Sequence, residues 1–343
     1  MKKFLLALVF LLAIVFFIAS FATIQQIAST LQTGRWYYVG LALGVEALWL
    51  WNVSLSYHSI YTLLGIQETR RRLFFLAAAS NFVNIITPTA GASAIAVFLS
   101  DAHQRNHSKA RVTVAWALYL LFEYLGLLAV VMLGIVVLIR RDRLHLPETV
   151  ASLILLVMAC GLATLLYLGA KSTTLLGNFL ASLAKLVNCV WRLFTRHDYI
   201  VVERAYSFAS DVSEGITALR QKPFSLWAPM VLALTNKTLL LTILLLLFLA
   251  FQAPFTAGTL VGGFAIGYLF WIVSPTPSGL GVVEGVLTLS LHSLGIPLET
   301  ATVITLGFRG ITFWVPFLFG LYAFRHVSKD YTKQGQPNGL IDS

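Results

Sequence analysis

Long apolar runs are the feature of this sequence that most limits what it can fold into. A helix that crosses a membrane needs about 20 apolar residues, and only 11% of the 343 residues are charged, against about 25% in a soluble domain. Continuous runs such as Leu239–Ala250 also differ from the alternating segments of a membrane β-barrel. The sequence therefore predicts an all-α, polytopic transmembrane helical bundle. Seven runs are long enough to span: 4–23, 36–60, 112–139, 149–170, 223–250, 256–274 and 298–324.

Basic residues give the chain a net charge of +10, and many of them lie between the apolar runs. Arg70–Arg72 and Arg140–Arg141 are examples. This placement is typical of loops on the cytoplasmic side, beside anionic lipid headgroups. We therefore expect a multi-pass protein of the cytoplasmic (inner) membrane that binds no nucleic acid. Cys160 and Cys189 provide neither metal-ligand spacing nor a disulfide framework.

The spans are predicted to form one transmembrane domain, residues 1–330, followed by a disordered tail at 331–343. The first run, 4–23, begins like a signal peptide. It is longer than the roughly 7–15 apolar residues of such a peptide, so we interpret it as an uncleaved span. The polar connection 171–222 carries apolar residues at helical spacing. It is predicted to form one or two amphipathic helices on the cytoplasmic surface.

Proline and glycine interrupt two apolar segments, at 81–93 and 274–285. Proline removes a backbone donor and glycine permits a positive φ, so each break ends one helix and starts another. Unwound backbone in a bilayer is tolerated only within protein or beside a water-filled cavity, and paired breaks point to a transport site. We expect two broken or re-entrant helical hairpins besides about 7–8 spans.

The membrane topology depends on whether the segment 73–100 re-enters or spans. If it re-enters, Arg70–Arg72 and the connection 171–222 are cytoplasmic, and the arginines of 140–143 lie outside. If it spans, those arginines are cytoplasmic and the connection lies outside. The re-entrant version is favoured because it keeps the amphipathic connection at the anionic leaflet.

Five charged residues remain inside apolar segments once the loops are set aside. A charge at the bilayer centre costs about 2.5–3.5 kcal/mol even on the mildest scale, so each should face the interior and pair. Each can belong to a structural pair that fixes helix packing, or to a functional site. The structural reading, or a position near the interface, is favoured for Glu46 and Lys237. The five are Glu46, Glu123, Lys237, Glu284 and Arg309.

The second break places Glu284 and Arg309 in a setting that suits an anionic substrate. Gly281 can act as the N-cap of the following helix, with Glu284 at N3, so the carboxylate can cap that helix. The free N–H groups of the same helix end can bind an anion. Arg309 cannot lose its proton and needs a partner. We expect a Glu284–Arg309 pair that lines a cavity and opens for the substrate, with Pro277 and Gly279 beside it.

The first break carries hydroxyl and amide groups in place of charges. Asn84, Thr89 and Ser93 can hydrogen-bond a polar headgroup, or they can satisfy the broken backbone. Gly91 lies at the turn, and Glu123, in the middle of a later span, can face either break. No nucleophile–base arrangement, P-loop or zinc motif is present, so no catalytic residue, metal or cofactor is predicted. The predicted substrate-binding residues are Asn84, Thr89, Gly91, Ser93, Glu123, Pro277, Gly279, Gly281, Glu284 and Arg309.

At the second break the chain resembles the lysylphosphatidylglycerol synthase/flippase transmembrane family. The resemblance is carried by 275–284, read as Pro-Thr-Pro-Ser-Gly-Leu-Gly-Val-Val-Glu, and then by Ala301, Arg309, Trp314 and Gly320. It implies two re-entrant hairpins and a flippase-like module without the synthase domain, since the family's best-understood members move aminoacylated phospholipid across the bilayer. The family's first motif usually continues with an acid and an arginine, where this chain has Ser93 and Ala96.

A lipid transporter is the function that these features favour. Its partners would be membrane lipids, bound through a phospholipid headgroup, and the chain could also pair with a second copy or with a lipid-synthesis enzyme. Two alternatives stay open: a membrane enzyme that modifies a lipid, and a membrane-embedded partner of an enzyme in lipid or cell-envelope synthesis. The sequence contains no nucleotide-binding motif, so we expect no ATP hydrolysis by this chain.

Overall fold

The computed structural model describes residues 32–87, 92–141, 146–191, 202–217, 226–274 and 276–334. Within these ranges the chain is helical and contains no β-strand, which confirms the predicted all-α bundle. The first apolar run, 4–23, lies outside the described residues.

The helices follow the apolar runs of the sequence. In chain order they are α1 (Trp36–Leu63), α2 (Arg70–Ile86), α3 (Ile95–Gln104), α4 (Lys109–Arg140), α5 (Leu146–Lys171), α6 (Thr173–Trp191), α7 (Val202–Thr217), α8 (Trp227–Ala250), α9 (Ala257–Val273), α10 (Val282–Ser293), α11 (Leu298–Arg309) and α12 (Val315–Gln334). Short 3-10 helices at Ala92–Ala94 and Pro277–Gly279 and a π-helical turn at Gly310–Trp314 join some of them. Among the residues that the structure describes, five helical stretches are long and apolar enough to cross a membrane: α1, α4, α5, α8 and Leu298–Ser328.

The last helix runs further than the sequence suggested. Helix α12 ends at Gln334, so residues 331–334, which the sequence predicts as part of the disordered tail, are helical. Residues 335–343 lie outside the described ranges.

Short polar side chains begin several helices. The hydroxyl of Thr69 accepts a hydrogen bond of 3.2 Å from the N–H of Arg72 at the start of α2. The hydroxyl of Thr256 does the same for the N–H of Thr259, at 3.1 Å, at the start of α9. These contacts satisfy N–H groups that the first turn of a helix leaves without a partner, and they fix where each hairpin begins.

Small residues let the helices approach one another closely. A Cβ atom added to Gly134 of α4 would lie 2.5 Å from the Cβ of Ala265 in α9, and one added to Gly320 of α12 would lie 2.7 Å from the carbonyl oxygen of Ala78 in α2. In a membrane, helix association depends on this close packing because lipid is as apolar as the side chains. The two broken segments are therefore held tightly against spanning helices.

Helices α2 and α3 form the first hairpin, which turns back at the first break. Arg72, near the start of α2, pairs with Asp101, near the end of α3, at 2.6 Å. Glu68, just before α2, pairs with Arg105, just after α3, at 2.9 Å. Two ion pairs thus join the ends of the hairpin, and the chain returns to the level at which it started.

Helices α9 and α10 form the second hairpin, which turns back at the second break. The guanidinium of Arg141, just after α4, bridges its open end: it donates to the hydroxyl of Thr256 at 2.8 Å and to the carbonyl of Leu294 at 3.5 Å. Along the hairpin, a Cβ added to Gly263 would lie 2.5 Å from Leu291 Cδ2. The two helices therefore lie side by side along much of their length.

The two hairpins meet tip to tip beside α4. Helix α4 has 32 residues and is about 48 Å long at 1.5 Å per residue. It begins next to the open end of the first hairpin, and Arg141 at its other end holds the open end of the second. Between them, the hydroxyl of Ser278 at the second tip donates to the carbonyl of Ile85 at the end of α2, at 3.3 Å. The hairpins therefore approach from opposite ends of α4 and touch between those ends.

The connection between α5 and α8 contains two helices, α6 and α7, as the sequence predicted for 171–222. They pack against each other, with the ring of Tyr206 over Gly177 and its hydroxyl donating to the Asn178 side chain at 3.0 Å. Buried Val212 of α7 belongs to the same apolar cluster as Val114 near the start of α4. The connection thus lies at the same end of the bundle as the open end of the first hairpin.

Candidate functional site

A cavity lies where the two hairpin tips meet the spanning helices. It has about 1330 Å³ of empty space, open solvent included. Aromatic side chains form much of the wall, among them Trp49, Tyr119, Tyr268 and Trp271. Polar and charged side chains from α2, α4, α8 and α11 also reach it. The cavity can therefore hold a polar group inside an otherwise apolar bundle.

The predicted ion pair between Glu284 and Arg309 is present. Arg309 Nε donates to Glu284 Oε1 at 2.7 Å, and its Nη2 donates to the carbonyl of Ser278 at 2.9 Å. Arg309 is 8% exposed, and its guanidinium also lies 4.8 Å from the centroid of the Phe313 ring. Arg309 lines the cavity, whereas Glu284 is not among the residues that line it. Only the arginine of the pair faces the space in which a substrate would sit.

The turn at the second break uses the backbone conformations that proline and glycine were expected to supply. Ser278, Gly279 and Gly281 have positive φ values of 48°, 71° and 81°. A Cβ added to Gly279 would lie 2.4 Å from Val283 Cγ2, so no larger residue fits there without movement. Ser278, which sequence reasoning did not select, lines the cavity, and Pro277, Gly279 and Gly281 shape the turn that presents it.

The start of α10 is less open to an anion than the sequence suggested. The N–H groups of Gly279 and Leu280 donate to the carbonyls of Thr276 and Pro277 at 3.0 and 3.1 Å. The N–H of Gly281 donates to Glu284 Oε2 at 2.7 Å, because a carboxylate at this position caps its own helix. These three groups are therefore already satisfied, and Arg309 is the stronger candidate for contact with an anion.

A second ion pair lies at the cavity wall. Lys237 Nζ is 2.5 Å from Glu123 Oε2, and the Asn236 side chain donates to Glu123 Oε1 at 2.7 Å. The Asn52 side chain donates to Asn236 Oδ1 at 2.6 Å, so one chain of contacts joins α1, α8 and α4. Both Glu123 and Lys237 line the cavity.

Lys237 lies inside the bundle and belongs to an ion pair, which agrees with the structural role that the sequence favours for it. It is 6% exposed and its ammonium group lies 5.7 Å from the centroid of the Tyr268 ring. A buried lysine needs an acid nearby, and Glu123 was the buried acid without an assigned partner. The need of a buried lysine for an acid is therefore the sequence feature from which the Glu123–Lys237 pair could have been predicted.

The first break contributes Asn84 to the cavity, together with Asn81. The hydroxyls of Thr87 and Ser93 bond each other across the break, and Ser93 donates to Asn84 Oδ1 at 3.5 Å. Thr87 also donates to the carbonyl of Val83 at 2.8 Å. One of these contacts reaches the backbone and the others join side chains across the break, while Asn84 also lines the cavity. The remaining candidates there, Thr89 and Gly91, lie outside the described residues.

Comparison with known protein families matches most of this chain. The family model of the lysylphosphatidylglycerol synthase TM region matches residues 4–320. That range contains both hairpins and the Glu123–Lys237 and Glu284–Arg309 pairs. Among curated proteins, none matches the sequence.

Proposed function

Because the chain belongs to the lysylphosphatidylglycerol synthase transmembrane family, we propose that it is a transporter that flips a phospholipid or another lipid-linked substrate across the cytoplasmic membrane. The family match and the helices that are long enough to span a membrane together show that it is a multi-pass membrane protein. The proposal that the protein moves lipid rests on the cavity between the hairpin tips.

Two cavity cations, each beside an acid, are the observation that carries this proposal. Arg309 and Lys237 both line the cavity, and no hydrogen bond joins Arg309 Nη1 to any residue that the structure describes. A guanidinium with a free donor suits a phosphate oxygen. Glu123 can hold an amine, if the headgroup carries one, when Lys237 turns towards the phosphate. The aromatic wall suits the apolar part of a lipid next to its headgroup.

The hairpins supply a route for the headgroup. If α4 crosses the bilayer, each hairpin enters and leaves on one side of the membrane, and the two hairpins use opposite sides. Their unwound tips then lie within the bilayer but inside protein, where broken backbone is tolerated. Sites of this kind, between broken helices of two halves, are typical of transporters. In the proposed cycle, movement of either hairpin away from the Ser278–Ile85 contact opens the cavity to one leaflet.

The test is lipid translocation by the purified protein in vesicles. Fluorescent phospholipid is placed in both leaflets, and a membrane-impermeant reductant then bleaches the label that reaches the outside. We expect protein-containing vesicles to lose more than the outer-leaflet fraction, and protein-free vesicles to keep the inner fraction. A matched control is Arg140→Gln, which removes an exposed arginine at the end of α4 and should translocate like the wild type. Equal bleaching with and without protein would contradict the proposal.

The same vesicles separate transport from lipid modification. In the proposed function the headgroup crosses unchanged, so lipid recovered after the assay should have its original mass. A changed mass that depends on the protein would instead favour a lipid-modifying enzyme. The possible partners, a second copy or a lipid-synthesis enzyme, belong to the same proposal and are not needed for this assay.

A further inference from the structure

Glu46, in the middle of α1, is a buried acid that takes part in neither of the two ion pairs at the cavity. It is 0% exposed, and neither carboxylate oxygen has a hydrogen-bond partner among the residues that the structure describes. Its side chain is therefore enclosed by protein. Its neighbours one turn away on the helix, Ala42 and Trp49, pack into an apolar cluster with α8, α9 and α11.

This setting differs from that of the other charges inside apolar segments. Glu123 pairs with Lys237, and Glu284 pairs with Arg309. An ionised carboxylate without a partner in apolar surroundings is strongly unfavourable, whereas the neutral acid is not. Glu46 therefore fits its surroundings only while it carries a proton.

A proton suits the site better than a metal ion. Calcium and similar hard cations need six or more oxygen ligands, and the described residues contain no group of three His, Cys, Asp or Glu side chains that could hold a metal. Neither oxygen of the Glu46 carboxylate has a hydrogen-bond partner among the residues that the structure describes. A proton neutralises the group with no further ligand.

The turn of α1 that follows Glu46 reaches the wall of the cavity. Trp49, one turn along α1, lines that cavity, and so does Tyr268 of α9. Phe264 and Phe308, which also line the cavity, belong to the same apolar cluster as Ala42 and Trp49. The other charged groups on the packed helices, Lys237 of α8 and Arg309 of α11, are held by their own acids. A charge that appears on Glu46 therefore disturbs the packing of the helices that line the cavity.

We propose that Glu46 is a proton-binding site, and that its loading and release are coupled to movement of the lipid headgroup through the cavity. The coupling rests on the proposed function, whereas the proton site does not. One O–H bond of the carboxyl group breaks when water from one side reaches it, and one forms again with a proton from the other side. The pH difference across the membrane would then drive lipid in one direction.

The proton site is tested by infrared spectroscopy of the full chain in vesicles. We expect a carboxylic-acid C=O band at neutral pH that Glu46→Gln removes and Glu46→Asp shifts. Glu214→Gln is the matched control, because Glu214 of α7 is exposed and should not contribute to that band. The amide of Glu46→Gln resembles the protonated acid in shape and charge, so this variant should fold. A band that is unchanged in Glu46→Gln would overturn the site.

The coupling is tested in the fluorescent-phospholipid assay with a pH gradient imposed in either direction. We expect the wild-type rate to depend on the direction of the gradient, and Glu46→Gln to translocate lipid with that dependence lost. Wild-type translocation that ignores the gradient would overturn the coupling. If the wild type moves no lipid at all, the proposed function fails and the coupling with it, while the infrared band still decides whether Glu46 binds a proton.

Discussion

Arg309 donates to the carbonyl of Ser278, 31 residues earlier in the chain, at 2.9 Å. Its second contact, 2.7 Å to Glu284, is to the residue that caps α10. One guanidinium thus holds both the turn of the second hairpin and the helix that follows it. The same side chain lines the cavity, so its structural and functional roles cannot be separated by removing it alone.

Arg309→Ala should abolish lipid translocation and also destabilise the fold. Breaking a buried ion pair by removal of one partner costs about 3–5 kcal/mol, because the other charge stays buried. The measurements are thermal unfolding in detergent and translocation at equal amounts of folded protein. Arg309→Lys keeps the charge but cannot reach Glu284 and Ser278 together, so it should be intermediate in both. If Arg309→Ala translocates lipid at the wild-type rate, Arg309 is not part of the substrate-binding site.

Glu284→Gln should fold better than Arg309→Ala, since the amide can still cap α10. The double variant Glu284→Gln with Arg309→Gln separates the two roles, because it leaves no unpaired charge. We expect it to fold and to translocate no lipid. Wild-type translocation by a folded double variant would show that the pair is structural only.

The Glu123–Lys237 pair joins two spanning helices, and removing one partner should cost more stability than removing both. Lys237→Met leaves Glu123 buried with only its contact to Asn236, and we expect a loss of about 3–5 kcal/mol in stability. Adding Glu123→Gln should recover much of that loss, because no charge remains. A double-mutant cycle of unfolding free energies measures the interaction. Equal destabilisation by the single and double variants would contradict the predicted interaction.

Gly279→Ala should destabilise the second hairpin. Its φ is 71° and an added Cβ would lie 2.4 Å from Val283, and a non-glycine residue in such a conformation costs about 1–3 kcal/mol. The matched control is Gly285→Ala in α10, where an added Cβ meets nothing within 4 Å. That change should stabilise by up to about 1 kcal/mol. Thermal unfolding of the two variants gives the comparison, and equal melting temperatures would contradict it.

Single cysteines introduced near the two ends of α4 should be accessible from opposite sides of the membrane. In a background without Cys160 and Cys189, a cysteine at Ser207 of α7 should not react with a membrane-impermeant thiol reagent outside intact cells. One at Arg140 should react. Both positions are exposed, and α7 packs near the opposite end of α4 from Arg140. Labelling of Ser207→Cys from outside would reverse the topology.

The sequence located the helices well because a bilayer-length apolar run is a direct signal. It also predicted the Glu284–Arg309 pair, since the capping position of Glu284 and the need of a buried arginine for a partner are both local. The Glu123–Lys237 pair is 114 residues apart in sequence. Helices that are apolar all round carry no face pattern to show which side meets a neighbour. For the same reason, the sequence could not show that Glu46 is enclosed.

The contact between Ser278 and Ile85 also bears on the electric field inside the protein. Where water enters behind a hairpin, the membrane voltage no longer falls across the full bilayer but across the thin layer of protein at the tips. Arg309 lies in that layer, and Lys237 lines the same cavity. Moving one elementary charge through 100 mV is worth about 2.3 kcal/mol. We expect any step that shifts these cations past the tips to respond to voltage, even though the side chains themselves move only a short distance.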